Sequence, residues 1–152
     1  MATRMILKNG DPQLRKHCHE VTDFNPRLHM LLDDMRQTLA ESNGVGLAAP
    51  QVGVLRRVVV IETEAGKLIE LINPRIIESE GEQEEAEGCL SIPGKYGITH
   101  RPKKVVVLAE NRHGETVEYM GEDLLARAFC HEIDHLDGKL FTDCVVRMLD
   151  EE

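Results

Sequence analysis

At 152 residues the chain has the length of one ordinary domain, and its hydrophobic share of 41% is enough to fill one core. Trp is absent and aromatic residues make up 3%, so that core must be built mainly from Leu, Ile, Val and Met. A formal net charge of -9 with no basic run argues against nucleic acid as a partner, and the absence of any apolar stretch of about 18 residues argues against a membrane-spanning helix.

In chain order, Met1-Ala-Thr-Arg-Met-Ile-Leu-Lys8 lacks the apolar region and cleavage site of a secretion signal, which points to a cytoplasmic protein. Asn25-Pro26 then opens a helix: Asn caps, Pro suits the first turn, and Leu28, Leu31, Leu32, Met35 and Leu39 recur at helical spacing to about Asn43. Gly44 is expected to end it, and Gly44 to Gly53 reads as an apolar, glycine-rich loop. Although Gly44-x-Gly46-x-x-Ala49 matches a dinucleotide-binding fingerprint, it follows a helix rather than a strand and runs into Pro50.

Strands are predicted at Val58 to Ile61, at Leu68 to Ile72 before an Asn73-Pro74 break, at Val105 to Leu108 and at Thr116 to Met120, the last two joined by a turn at Asn111 to Gly114. The acidic run Glu80 to Glu87 reads as a solvated loop or edge, with Glu87 excepted because of the Gly-Cys-Leu-Ser segment that follows it. A second helix, from about Glu122 to Asp137, carries Leu124, Leu125, Ala128, Phe129, Ile133 and Leu136 and is stopped by Gly138. With neither repeats nor a linker, one domain over 1-152 is expected. Its fold class is α+β, antiparallel strands packed around a central metal-binding helix.

Inside that helix lies His131-Glu-Ile-Asp-His135. Histidines four apart share one face, so both imidazoles can reach one metal, and a glutamate beside them can carry protons. A tetrahedral catalytic site needs a third protein ligand and one open position. Downstream of the motif no extended metallopeptidase ligand pattern follows, which favours Cys89, set in Glu87-Gly-Cys-Leu-Ser91, where glycine lets the backbone approach and a thiolate binds divalent metals strongly. The other cysteines, Cys18, Cys130 and Cys144, form no CxxC pair and suit a reducing compartment as buried thiols. Three readings stand at this point: a metal-dependent hydrolase other than a peptidase, a zinc peptidase built on HExxH, and a structural metal site. A structural site has no need of Glu132 and is normally closed by a fourth protein ligand.

Three segments, Gly44-Val-Gly-Leu-Ala-Ala-Pro-Gln51, Glu87-Gly-Cys-Leu-Ser91 and His131-Glu-Ile-Asp-His135, together resemble the signature motifs of the bacterial-type peptide deformylases, in that family's order, and the likeness extends from Leu7 through Phe141. The resemblance implies a metal-dependent hydrolase that removes the N-formyl group from formyl-methionine of newly synthesised polypeptides and releases formate. Cys89, His131 and His135 would hold one divalent ion, Fe(II) in the active form, with Zn(II), Ni(II) or Co(II) as alternatives. Glu132 would be the proton carrier, with the Gln51 amide and the Leu90 backbone N-H stabilising the formyl oxygen.

By the same resemblance the substrate adds as an extended strand, and the substrate-binding set is Val45, Gly46, Glu87, Gly88, Leu124, Arg127 and Ala128. Arg127 departs from the apolar residue expected on the wall of the first side-chain pocket, with Glu87 or solvent as its available partners. Cys130 replaces the glutamine usual before the first histidine and points away from it around the helix. N-formylated nascent peptides are the expected partners; monomer is the default state, and transient ribosome contact by the tail after Phe141 is left open.

Overall fold

The structure, a computed structural model, describes residues 2–149. Helix α1, Pro26–Ala40, begins where Asn25 Oδ1 accepts the Leu28 N-H at 3.1 Å. It ends three residues earlier than the apolar spacing predicts, because the Ser42 hydroxyl takes the Leu39 carbonyl at 2.8 Å and then accepts from Gly44 N.

Strands β1 (Gly46–Ala48), β2 (Val58–Ile61), β3 (Ile69–Glu80), β6 (Lys104–Glu110) and β7 (Thr116–Glu122) form an antiparallel sheet in the order β1-β2-β3-β6-β7. Strands β4 (Gln83–Cys89), β5 (Ile92–Arg101) and β8 (Val145–Met148) form a second sheet, β4-β5-β8. The middle segment of the glycine-rich loop is therefore a short strand, followed by a 3-10 turn at Ala49–Val52.

Four consecutive residues of β2 are fully buried, since both faces of the large sheet are covered. Val58 and Val60 meet Leu28, Leu32 and Met35 of α1, whereas Val59 and Ile61 meet Ala126, Phe129, Ile133 and Leu136 of helix α2, Leu124–Leu136. Burial of each such Leu, Ile or Phe is worth about 2 kcal/mol. Gly121 of β7 lets α2 sit close: an added Cβ would lie 2.7 Å from Leu125 Cγ and 2.8 Å from Phe129 Cε2. On its other side α2 faces the small sheet, so the helix is central, as expected.

Two further boundaries differ from the sequence reading. Asn73-Pro74 does not break the strand; β3 runs on to Glu80 through a bulge between Ile72 and Arg75. Asn73 adopts φ 52° there, and its amide holds Val21, accepting from Val21 N at 2.8 Å and donating to Val21 O at 2.9 Å, while the bulge lets proline interrupt the ladder. Helix α2 starts at Leu124 because Glu122 still pairs with Lys104 and Asp123 makes the reversal at φ 53°. The acidic run forms the turn at Gly81 and then edge strand β4, where Glu84 and Glu85 face solvent. Strands β5 and β8 had no counterpart in the sequence reading.

Candidate active site

The helical spacing places the His131 and His135 rings 4.9 Å apart, both buried. Cys89 arrives from the tip of the β4-β5 hairpin, where the register shifts after Gly88. His135 Nε2 lies 3.4 Å from Cys89 Sγ and 3.2 Å from His131 Nε2, and the three donor atoms all lie within 4.8 Å of one another. A tetrahedron built with metal-nitrogen bonds of about 2.1 Å and metal-sulfur bonds of about 2.3 Å has edges of about 3.4 to 3.6 Å. The donor set therefore fits a metal ion, and among the described residues no fourth side chain joins the cluster.

The surrounding polar groups fit a cation as well. Glu132 is 3% exposed and its Oε1 has no hydrogen-bond partner, a costly state for a carboxylate unless positive charge stands nearby. Burial pushes its pKa up to about 7, against the pull of His131. Burial pushes His131 down, but Glu132, Cys89 and Glu87 together hold its pKa well above the usual histidine value. Burial and the neighbouring His131 charge keep His135 well below it. The two imidazoles are thus driven in opposite directions, His131 towards the protonated form and His135 away from it.

Behind His131, its Nδ1 lies 2.5 Å from Glu87 Oε1. Glu87 in turn accepts from Thr99 Oγ1 at 2.7 Å and from Arg101 Nη2 at 2.7 Å, and Arg101 Nη1 reaches Asp134 at 2.7 Å. Burial pushes the Glu87 carboxyl up, but hydrogen bonds from His131 and Arg101 overcome this and bring it down to about 2. A carboxylate fixed on the outer nitrogen selects the tautomer that turns Nε2 inward as a ligand.

Gln51, 1% exposed, is oriented at both ends of its amide: Oε1 accepts from Ala48 N at 3.0 Å, and Nε2 donates to Ser91 Oγ at 3.0 Å. Nε2 also lies 3.6 Å from Cys89 Sγ, so the donor end of the amide faces the cluster. A cavity of about 550 Å³ opens over Cys89, His131 and Glu132. Val45, Gly46, Gln51, Gly88, Leu90, Leu124, Arg127 and Ala128 border it, and Val45 and Leu124 are 37% and 40% exposed at its mouth.

Arg127 takes neither partner anticipated for it. Both oxygens of Glu87 are already occupied, and Arg127 Nη1 instead donates to Gln83 Oε1 at 2.7 Å. Glu87, placed by the sequence reading among the substrate-binding residues, borders the cavity but directs its carboxylate at His131. Cys130 lies in the core, where burial pushes its thiol up to about 11. The sequence reading missed Thr99, Arg101 and Asp134. Gln83, Glu85 and Glu87 pair with Arg101, Thr99 and Gly97, so an alternation reading of 92–101 as the partner of β4 would have put Thr99 and Arg101 on the face of Glu87.

Fold and cluster together outline a hydrolase-type metal site, with two imidazoles on an HExxH helix and a cysteine on a separate hairpin brought side by side. The polypeptide deformylase family model matches residues 3–151. A peptide deformylase of Acetivibrio thermocellus is 59% identical over 152 residues, covering 100% of this chain and 89% of that protein. The crystal structure of a peptide deformylase from Legionella pneumophila superposes with a TM-score of 0.92 at 46% identity, covering 95% of this chain and 86% of that one. That of Thermotoga maritima gives 0.92 at 38% identity, with 95% and 99% covered. The chain belongs to the peptide deformylase family, metal-dependent hydrolases that remove the N-formyl group from polypeptides. The peptidase and structural-metal readings give way to this one.

Proposed function

We propose that the chain is one catalytic domain over 1-152 that deformylates the N-terminal formyl-methionine of newly synthesised polypeptides, with Cys89, His131 and His135 as metal ligands and Glu132 as proton carrier. The observation that carries this reading is the clustering of the three donor atoms within 4.8 Å, with His135 Nε2 close to tetrahedral edge lengths from both others, beside a buried Glu132 whose Oε1 has no hydrogen-bond partner. A divalent ion held there supplies Lewis acidity and makes a water nucleophilic near neutral pH. Fe(II) is our assignment for the active form on the strength of family membership, with Zn(II), Ni(II) and Co(II) as alternatives that the same donor set accepts.

Glu132 takes the proton of the attacking water on a carboxylate oxygen and returns it to the amine nitrogen, which must leave protonated. Negative charge grows on the formyl oxygen as attack proceeds. Gln51 Nε2 and the Leu90 N-H are the donors assigned to it, and the hold of Ala48 and Ser91 on the Gln51 amide keeps its nitrogen, not its oxygen, towards the reaction. The first side chain of the substrate enters between Val45 and the α2 residues Leu124 and Ala128, with the backbone running beside Gly46 and Gly88.

No helix among the described residues is long and apolar enough to cross a membrane. Our assignment is a cytoplasmic, monomeric enzyme that meets its substrate as the nascent peptide emerges. Contact with the ribosome is transient in this reading. Anaerobically prepared, iron-loaded protein incubated with formyl-Met-Ala-Ser should release formate and a new amine, and should leave Met-Ala-Ser untouched. Cleavage of the unformylated peptide, or no formate from the first, would refute the reading.

A further inference from the structure

The cavity mouth has a charge opposite to that of the protein. The chain carries a net charge of -9, yet the charged residues at the rim are Lys8, Lys95 and Arg127. The carboxylates bordering the cavity are Glu87 and Glu132, which are 8% and 3% exposed and turned inward, and Glu87 is neutralised by Arg101. Among the described residues none of the three cations is in an ion pair. Arg127 bonds the neutral amide of Gln83, and Lys8 Nζ donates to the Leu90 carbonyl at 3.3 Å.

The cations also stand where a substrate chain must pass. Lys8 is held over Leu90 on one side of the Cys89 hairpin tip. Lys95 borders the same cavity, its carbonyl 3.5 Å from the position a Cβ on Gly88 would take, beside the Tyr96 ring that covers Gly88. Both lysines are exposed. With the first side chain lodged against α2, an extended chain advances about 3.3 to 3.6 Å per residue, so the second and third residues lie at the mouth, within the span of a lysine side chain. A low-dielectric cleft with one sign of charge at its entrance concentrates ligands of the other sign.

Resting on the deformylase reading of this site, we propose that the enzyme selects among formylated nascent peptides by charge: Lys8 and Lys95, with Arg127, are specificity-determining residues that favour acidic side chains at the second and third positions and disfavour basic ones. Amide-capped substrates remove the terminal carboxylate from the comparison. With iron-loaded enzyme at low ionic strength, kcat/KM should fall in the order formyl-Met-Asp-Asp-amide, formyl-Met-Ala-Ala-amide, formyl-Met-Lys-Lys-amide, with about a tenfold span from first to last. The span should contract to about twofold or less in 0.5 M KCl, where the Debye length is about 4 Å. In Lys8→Gln/Lys95→Gln it should also contract, while Lys8→Arg/Lys95→Arg should keep it. Equal kcat/KM for the three peptides, or a span unchanged in the glutamine variant, overturns the charge selectivity and leaves the deformylase reading standing. If even formyl-Met-Ala-Ala-amide releases no formate, that reading falls and the selectivity falls with it.

Discussion

The carboxylate of Glu132 occupies the space that a side chain on Gly46 would need: a Cβ there would meet Glu132 Oε2 at 2.7 Å and Cγ at 2.9 Å. No positive φ is recorded for Gly46; close approach, not backbone strain, demands glycine. Strand β1 thus backs directly onto the residue assigned to carry the proton. Gly46→Ala should fold and retain metal, yet lower kcat by about 10²-fold, because a displacement near 1 Å of a reacting group costs that much. Metal content by elemental analysis alongside steady-state kinetics checks this; wild-type kcat would show that Glu132 need not stand where it does.

Glu132→Gln keeps the shape of the side chain and removes its basicity. Turnover should fall by about 10² to 10⁴-fold, with bound metal unchanged. Because the substitution also removes a buried carboxylate whose Oε1 has no hydrogen-bond partner, the metal-free variant should be about as stable to urea as the metal-free parent.

Arg101 and Glu87 are buried partners, 6% and 8% exposed, joined at 2.7 Å. Arg101→Met should destabilise by about 3 to 5 kcal/mol, since it leaves a buried carboxylate without its cation. Glu87→Gln/Arg101→Met should be less destabilised than the single arginine variant, and both should bind metal about 10 to 100-fold more weakly through loss of the hold on His131. Denaturant titration and competition with a chelator separate the two effects; additive losses in stability would mean that the pair is not coupled.

In the metal-free protein Glu87 at the acid end and two buried thiols at the alkaline end should each add to the pH dependence of stability. Glu87 has a folded pKa of about 2 against an ordinary value of 4.5, so its contribution is present above about pH 4.5 and is lost as pH falls towards 2. Burial raises the Cys18 and Cys130 thiols to about 11 from 9.0, so folding favours the thiol form. Their contribution is complete below pH 9 and disappears as pH rises to 11. Urea midpoints measured across this range should therefore decline at both ends, and Glu87→Gln should flatten the acid limb. An unchanged acid limb in that variant would place its cause elsewhere.

Metal loading should expel the proton that His131 holds in the metal-free site, where its pKa lies well above the usual value. A pH indicator in weak buffer should register at least one proton released per ion near pH 7. Melting temperature should rise with free metal and drop on chelation. Loading without proton release would mean that all three ligands are already deprotonated in the metal-free site.

The parts legible in the sequence were those with strong local signals: the Asn25-Pro26 cap, the stripe along α1, the HExxH turn and the Glu87-Gly-Cys-Leu-Ser91 segment. What escaped depends on distant chain. Residues 92–101 contain Pro93, Gly94 and Gly97 and alternate weakly, and their identity as β5 comes from pairing with an acidic edge strand rather than from their own preference. The arginine that anchors His131 was hidden for the same reason. Asn73-Pro74 reads locally as a stop, and only the bond to Val21, 52 residues away, shows why the strand continues.

Gly138 closes α2 at φ 74°, and any Cβ there would lie 2.4 Å from the carbonyl oxygen of Arg15. Nearby, Cys18 N and Arg57 both bind the Leu136 carbonyl, at 2.9 and 3.2 Å. The last turn of the helix, with His135 in it, is therefore seated in a socket made by residues 15–18 and Arg57, on the far side from the cavity. A change in that socket acts as a tilt on the imidazole's mounting: it can spoil coordination while every residue around the cavity stays intact, which makes the remote end of the helix a place where activity and substrate contact come apart.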